Sequence, residues 1–402
     1  MSTLLQQRPV YVVGIGMHRY QFPSETPYVV LGLTAVREAL ADAGVTWAQV
    51  DSAVVGTAAL GMAAGRVMLR HLGSSGAEVM QVENASASGS TAFRTACLQV
   101  ASGEREVALA VGVDKFGDGR RAVLKDGLTP LSPTSNVPLV KFALLARRGM
   151  RDYGLTPEDL AAVSVKNHGN AAKNPYAQYR KPRTLEQVLG GAKVAGDLTA
   201  MQCCPRGEGA AAAIVVSEDA MKRLKLDRSR AVRVLASVST SERLADDASP
   251  GMPAIVEMVR HSATVALEQA GVGVNDLDLV ELHDAFSIEE LLYAEAIGLA
   301  KPGEARHHLA RGAWHIGGDC AVNASGGLLG MGHPLGPTGL GQVAEITRQL
   351  RGEAEGRQHP NAKLGLAHMI GLGSVAVAHV LRRGGSRATP SPPSSPPRGV
   401  GE

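Results

Sequence analysis

The chain is poor in aromatic residues, which fill 3% of its 402 positions, and in cysteine, of which there are four. Cys97, Cys203, Cys204 and Cys320 form no CxxC pair. That spacing excludes a zinc-ribbon framework, and it does not suit a disulfide-stapled scaffold either. No metal site is expected. Long hydrophobic runs are also missing: nothing approaches the roughly 18 uninterrupted apolar residues of a membrane helix, so no membrane span is expected. The opening Met-Ser-Thr-Leu-Leu-Gln-Gln-Arg-Pro has neither the apolar core of a signal peptide nor a twin-Arg signal, which predicts a reduced, cytoplasmic setting. Charge of one sign is not in excess. The formal net charge is +3 with the basic residues scattered, so no nucleic-acid partner is expected.

What is abundant is small and apolar. Hydrophobic residues make up 45% of the chain, charged residues 20%, and there are 47 glycines. This is a globular composition suited to close helix–sheet packing and tight turns. The length predicts two or three domains. Val10–Gly16 reads as a strand, Leu31–Ala43 as a helix stopped at Gly44, and Val50–Gly56 as a buried strand. The same alternation continues and predicts parallel sheets with crossover helices.

Part of this pattern repeats. Ala39-Leu40-Ala41-Asp42-Ala43-Gly44-Val45 followed by Val50-Asp51 resembles Ala266-Leu267-Glu268-Gln269-Ala270-Gly271-Val272 followed by Leu277-Asp278. Two duplicated halves are predicted, with Gly56-Thr57 equivalent to His283-Asp284. The divisions expected are 8–115 for the first half, 116–235 for an inserted loop domain, 236–383 for the second half and 384–402 for a disordered Pro/Ser-rich tail.

Four segments carry candidate chemistry. In Val82-Glu83-Asn84-Ala85-Ser86-Ala87-Ser88-Gly89, a strand end and a small-residue bend lead into a helix. A side chain presented there meets backbone N–H groups that favour developing negative charge. Ser86 is either a nucleophile or simply the helix N-cap. Val280-Glu281-Leu282-His283-Asp284-Ala285-Phe286 puts a polar pair at the end of a buried strand, where α/β sheets bind ligands, although Asp284 is also a good helix cap. Asn323–Gly339 surrounds His333 with glycines, and His368-Met369-Ile370-Gly371-Leu372-Gly373 forms another Gly-rich loop.

Together these segments resemble the thiolase superfamily, and within it the sterol-carrier-protein-type thiolases. Val165-Lys166-Asn167-His168, Asn174-Pro175-Tyr176 and Cys203-Cys204-Pro205 extend the likeness over about residues 8–383. The resemblance implies an α/β fold of five layers, α-β-α-β-α, a homodimer, and a loop domain that holds coenzyme A. It implies a coenzyme A thioester as substrate with no bound cofactor, and a possible small OB-fold protein partner. By resemblance His333 is a base and oxyanion donor, His283 holds a water in an oxyanion hole, Asp284 and Asn323 support them, and Gly373 contributes a backbone N–H. His168, Lys166 and Gly332 would contact substrate or coenzyme A, although His168 and Lys166 also read as ordinary surface residues. His368 either replaces a missing acid/base or is a satisfied loop histidine.

The family's acylated cysteine is replaced by Ser86, and the places of its second cysteine hold Ala285 and His368-Met369. Three functions follow as expectations: a thiolase-like acyl-CoA enzyme working at a C–C bond beside the thioester, without ordinary cysteine thiolysis; a retro-aldol lyase on a β-hydroxyacyl-CoA such as a steroid side chain, with Tyr293 as a proton donor or only a packing residue; or a non-catalytic acyl-CoA-binding subunit of a complex.

Overall fold

The computed structural model describes residues 3–115, 137–242, 254–371 and 375–384. Twelve strands run in chain order: β1 (Val10–Gln21), β2 (Ser52–Gly56), β3 (Glu78–Val82), β4 (Val107–Asp114), β5 (Lys193–Ala195), β6 (Leu198–Thr199), β7 (Glu208–Ser217), β8 (Val232–Ser241), β9 (Leu279–Leu282), β10 (Ala321–Val322), β11 (Leu364–Gly371) and β12 (Val375–Arg383). Between them lie the helices α1 (Tyr28–Ala43), α2 (Ala64–Leu69), α3 (Ser88–Ser102), α4 (Val137–Tyr153), α5 (Pro157–Ala171), α6 (Leu185–Leu189), α7 (Glu218–Arg223), α8 (Ala254–Ala270), α9 (Ser287–Ile297), α10 (Ala305–Ala310), α11 (Gly327–Gly330) and α12 (Thr338–Arg351).

The ten long-range strands form one order, β10-β9-β11-β12-β8-β1-β7-β4-β2-β3. Read outward from its middle, β1-β7-β4-β2-β3 and β8-β12-β11-β9-β10 are the same arrangement twice. Among the described strands the two are paired through a short antiparallel stretch of β1 with β8, from Val10↔Val234 to Val12↔Val232. The duplication extends to the residues of one bend, though not to which of them turns left-handed. Asn84-Ala85-Ser86 follows β3 as Asn323-Ala324-Ser325 follows β10, each with a non-glycine residue in the left-handed region (Ala85 φ +48°, Asn323 φ +53°).

Helix burial explains the layering. α12 is buried on every side from Thr338 to Leu350, and α3 is nearly so, because each packs against strands of both halves. The one charge this buries deepest is paired: Arg357 Nε and Nη2 reach Glu345 at 2.9 Å. α1 and α8 bury one face each, α1 on β1, β7 and β4, and α8 on β8 and β12. The result is the five-layered α-β-α-β-α fold. Gly44 stops α1 in the left-handed conformation (φ +68°), where it costs a glycine little.

The span 116–235 is not one inserted unit. Residues 116–136 lie outside the described residues. β7 and the first residues of β8 fall inside that span yet belong to the sheets, β7 running between β1 and β4. The segment lying apart from the sheets is α4 to the loop before Glu208. A strand of small residues, Gly-Ala-Ala-Ala-Ala-Ile, reads poorly as a strand in isolation. It becomes one because both its edges are paired. The expected tail is also outside the described residues, except for Gly384. Among the described residues no helix is long and apolar enough to cross a membrane.

Candidate active site

The bend after β3 is held by its own backbone and by Ser88. Ala87 N donates to Asn84 O (2.9 Å) and Ser88 N to Ala85 O (3.1 Å). Ser88 Oγ donates to Ala85 O (2.6 Å) and accepts from Asn84 N (2.9 Å). Ala87, not Ser86, is the N-cap of α3. The Ser86 hydroxyl is therefore not spent on capping. It lies 3.0 Å from His333 Nε2.

His333 stands on a loop wedged against that bend. A side chain at Gly89 or at Gly112 would collide with Gly336 O, at 2.3 and 2.5 Å, so glycine is needed on both surfaces the loop rests on. Asp114, at the end of β4, accepts from Gly336 N (2.5 Å), Ala59 N (2.8 Å) and Thr57 Oγ1 (2.6 Å), and Tyr20 Oη donates to Pro337 O (2.9 Å). On the far side of the ring, His333 Nδ1 is 3.0 Å from Thr338 Oγ1, which itself bonds Pro334 O. Burial, and secondarily the neighbouring His283, holds His333 well below the ordinary histidine range, so it is neutral.

His283 follows β9 and faces His333 edge-on, ring centroids 5.4 Å apart. Its Nδ1 is 3.0 Å from Glu289 Oε1, which leaves Nε2 for the cavity. Glu289 is fixed in turn: Phe286 N donates to Oε2 (2.8 Å) and Tyr293 Oη to Oε1 (2.9 Å). Tyr293 is fully buried with its hydroxyl committed there and does not line the cavity. Nor does Asp284 cap α9. It is buried, and accepts from Leu328 N (2.6 Å) and Asn167 Nδ2 (2.7 Å). Burial and the Glu290 charge push its carboxyl well up.

Ser86, His283 and His333 line one cavity of about 510 Å³ together with Phe142, Phe286, Ile255, Leu335 and Ile370. Cys203 and Cys204 line it too, which their place in the sequence gave no reason to expect. Cys204 N donates to Ala285 O (2.7 Å), drawing that segment along the His-Asp-Ala-Phe loop. Burial pushes the Cys203 thiol up to about 12, and burial with the nearby Glu289 raises Cys204 as well, so both stay protonated. Lys141 and Arg206 are exposed cations on the cavity wall that the sequence reading passed over.

The remaining expected residues lie elsewhere. Lys166 is buried in an ion pair with Glu290 (3.1 Å) and also donates to Val322 O (2.7 Å), an engaged ammonium with none of the exposure a phosphate contact needs. Asn323 ties this cluster to β9, donating to Glu290 (2.8 Å) and accepting from Leu282 N (2.9 Å). His168 is buried behind Tyr179, which does line the cavity (ring centroids 5.2 Å apart), and burial lowers it to about 4. Gly332 packs its backbone against Gln178 and Tyr20. His368 points away from the cavity, its Nε2 2.7 Å from Ser262 Oγ on α8. Gly373 lies outside the described residues. Among the described residues no group of three or more His, Cys, Asp or Glu is placed to hold a metal.

Residues 12–182 match the family model described as thiolase, N-terminal domain, and residues 242–383 match thiolase C-terminal domain-like. The chain is 36% identical to sterol carrier protein 2 of Gallus gallus across 94% of this chain and 73% of that one. It is 34% identical to the benzoylsuccinyl-CoA thiolase subunit BbsB of Thauera aromatica across 91% and 96%. Its fold is shared with a solved Ltp2-ChsH2(DUF35) aldolase, with a TM-score of 0.79, 23% identity, and coverage of 95% of this chain and 99% of that one.

Proposed function

The chain belongs to the thiolase family, and on that premise we propose that it is an acyl-CoA enzyme acting at the C–C bond beside the thioester without a cysteine nucleophile. The observation that carries this is the pairing of a neutral His333 base with His283 across one cavity in which both thiols are held protonated. Thiolysis needs a thiolate to carry the acyl group. Retro-aldol cleavage does not.

In that reaction His333 Nε2, directly or through Ser86, takes the β-hydroxyl proton of a β-hydroxyacyl-CoA. The Cα–Cβ bond breaks, a ketone or aldehyde leaves, and its electrons pass to the thioester as an enolate. A water on His283 Nε2 stabilises the enolate oxygen, and a proton returned to Cα gives the shortened acyl-CoA. Glu289 and Tyr293 keep the His283 ring in place. Lys141 and Arg206 at the cavity are candidates for the coenzyme A phosphates, in place of Lys166 and His168. The solved aldolase is named for two components, Ltp2 and ChsH2(DUF35), and a second, smaller subunit is proposed here as well. A homodimer built on the edge of β3 that no described strand covers completes the proposal.

Supplied with a β-hydroxyacyl-CoA and no free coenzyme A, the protein should release a ketone or aldehyde and a shortened acyl-CoA, both read by liquid chromatography–mass spectrometry. His333→Ala should slow this by about 100-fold or more. Turnover that appears only when free coenzyme A is added would favour acyl transfer instead. No turnover with any partner subunit present would leave a binding role.

A further inference from the structure

The hydrogen bonds around Ser86 fix where each proton sits. Thr338 has one hydroxyl proton, and Pro334 O takes it. Thr338 Oγ1 can then only accept from His333, so the imidazole carries its proton on Nδ1. The lone pair is on Nε2, and the Ser86 hydroxyl donates to it across 3.0 Å. A hydroxyl nucleophile, a base and an orienting group stand in line, the arrangement that activates serine for attack on acyl groups. Ser86 is buried yet lines the cavity, and the N-cap of the helix beyond it is Ala87, so the Ser86 hydroxyl is not engaged there.

We propose that Ser86 is acylated by coenzyme A thioesters and that water then releases the acyl group, giving the site a thioester hydrolase activity. This rests on the acyl-CoA reading of the cavity but not on the C–C chemistry. In the first step Ser86 Oγ bonds to the thioester carbonyl carbon and the C–S bond breaks. The hydroxyl proton moves to His333 Nε2 and then to the leaving sulfur, so coenzyme A departs as the thiol. In the second step a water oxygen bonds to the acyl carbon and the ester C–O bond breaks. The water proton passes through Nε2 back to Ser86, and a free carboxylic acid leaves. No oxidant or reductant is involved.

Oxygen in place of sulfur sets the direction. A thioester lies above an oxygen ester in free energy because sulfur shares its lone pair poorly with the carbonyl. Transfer from coenzyme A to serine therefore runs downhill, and return to a thiol runs uphill. A cysteine makes the two halves nearly even. Water is the acceptor that keeps the second half downhill. Thr338 supports the imidazolium less than a carboxylate would, so both steps are slow, and the acyl-enzyme accumulates because its oxygen ester is a weaker electrophile than the thioester that formed it. Phe142 and Phe286, stacked 4.5 Å apart on an apolar wall with Ile255 and Leu335, suit a medium or long hydrocarbon chain.

Octanoyl-CoA tests this, because it has no β-hydroxyl and cannot undergo retro-aldol cleavage. After acid quench, intact and peptide masses should show octanoyl on Ser86. Chromatography should show one coenzyme A and, more slowly, one octanoate per turnover. Ser86→Ala should abolish the adduct and cut release by at least about 100-fold, and Thr338→Val should slow acylation by about 10-fold or more with the circular dichroism spectrum unchanged. Absence of adduct and of release overturns the proposal, as does release undiminished in Ser86→Ala or an adduct found on Cys203 or Cys204. β-Hydroxyacyl-CoA cleavage measured in parallel separates the two ideas. Cleavage without octanoyl hydrolysis removes the hydrolase alone, and loss of both removes the acyl-CoA reading.

Discussion

His333 and His368 are both buried and both hold protons weakly, yet their surroundings give them opposite uses. His333 has an acceptor nitrogen turned to the cavity and a fixed tautomer; His368, on β11, spends its Nε2 on Ser262 of α8. Burial, then His283, lowers His368 to about 3. The sign of its effect on stability follows. Below about pH 6.5 the unfolded chain takes up a proton that the folded chain refuses, so stability is lost as pH falls from there toward 3. Glutamine at 368 has no proton to gain. Between pH 7 and pH 5 the natural protein should lose about 2 kcal/mol more than His368→Gln, read from urea midpoints at the two pH values. Equal losses would show that the ring is already solvated or charged in the folded state. The sequence could not separate the two histidines, since both sit in Gly-rich surroundings and only their partners differ. The same blindness left Lys166 as a contact to coenzyme A or a surface charge: a lysine on a helix does not announce that Glu290 waits for it inside.

At the level of elements, the site is assembled by loops at strand ends, and most of its contacts run between distant parts of the chain. Ser86, His283 and His333 were legible because each stands in a short motif of small residues. Their supports were not. Thr338, Glu289 and Asp114 act through hydrogen bonds across 5, 6 and 222 residues respectively, and the longest of these leaves no local pattern. Asp114 is the clearest case. It ends β4 of the first half and holds the His333 loop of the second through Gly336 N, while also gathering Thr57 and Ala59. Burial raises its carboxyl, and these donors oppose that rise. Asp114→Ala should leave them without an acceptor, lower stability by about 2–4 kcal/mol and reduce turnover as the His333 loop loosens. Denaturant unfolding and steady-state kinetics on one preparation check both. Full activity with unchanged stability would mean the Gly89 and Gly112 contacts hold the loop alone. The duplicated topology was legible from two helix–Gly–strand repeats, whereas the place of β7 was not, because alanines become a strand only between β1 and β4.

For the molecule as a whole, the strand order has two ends, and they are unlike. β10 is only two residues long, whereas β3 is a five-residue strand with one side unpaired among the described residues. An open strand edge invites pairing with another chain unless it is blunted by charge, proline or a covering element. β3 carries a single charge, Glu78, which Arg105 pairs at 2.9 Å, and the surface beside the strand is apolar. Gln81 ties α2 and the turn before it, residues 61–69, to the strand, accepting from Gly65 N (3.0 Å) and donating to Gly61 O (3.1 Å). That segment carries Met62, 97% exposed, and Val67, 50% exposed. A twofold pairing of chains through β3 would satisfy the strand edge and cover both side chains in one isologous interface. Sedimentation or light scattering at micromolar concentration should therefore give the mass of two chains. Met62→Asp combined with Val67→Asp should give the mass of one, with the circular dichroism spectrum unchanged, because neither side chain belongs to a core. A monomeric natural protein would remove the dimer. A dimer that survives the double substitution would move its interface off β3.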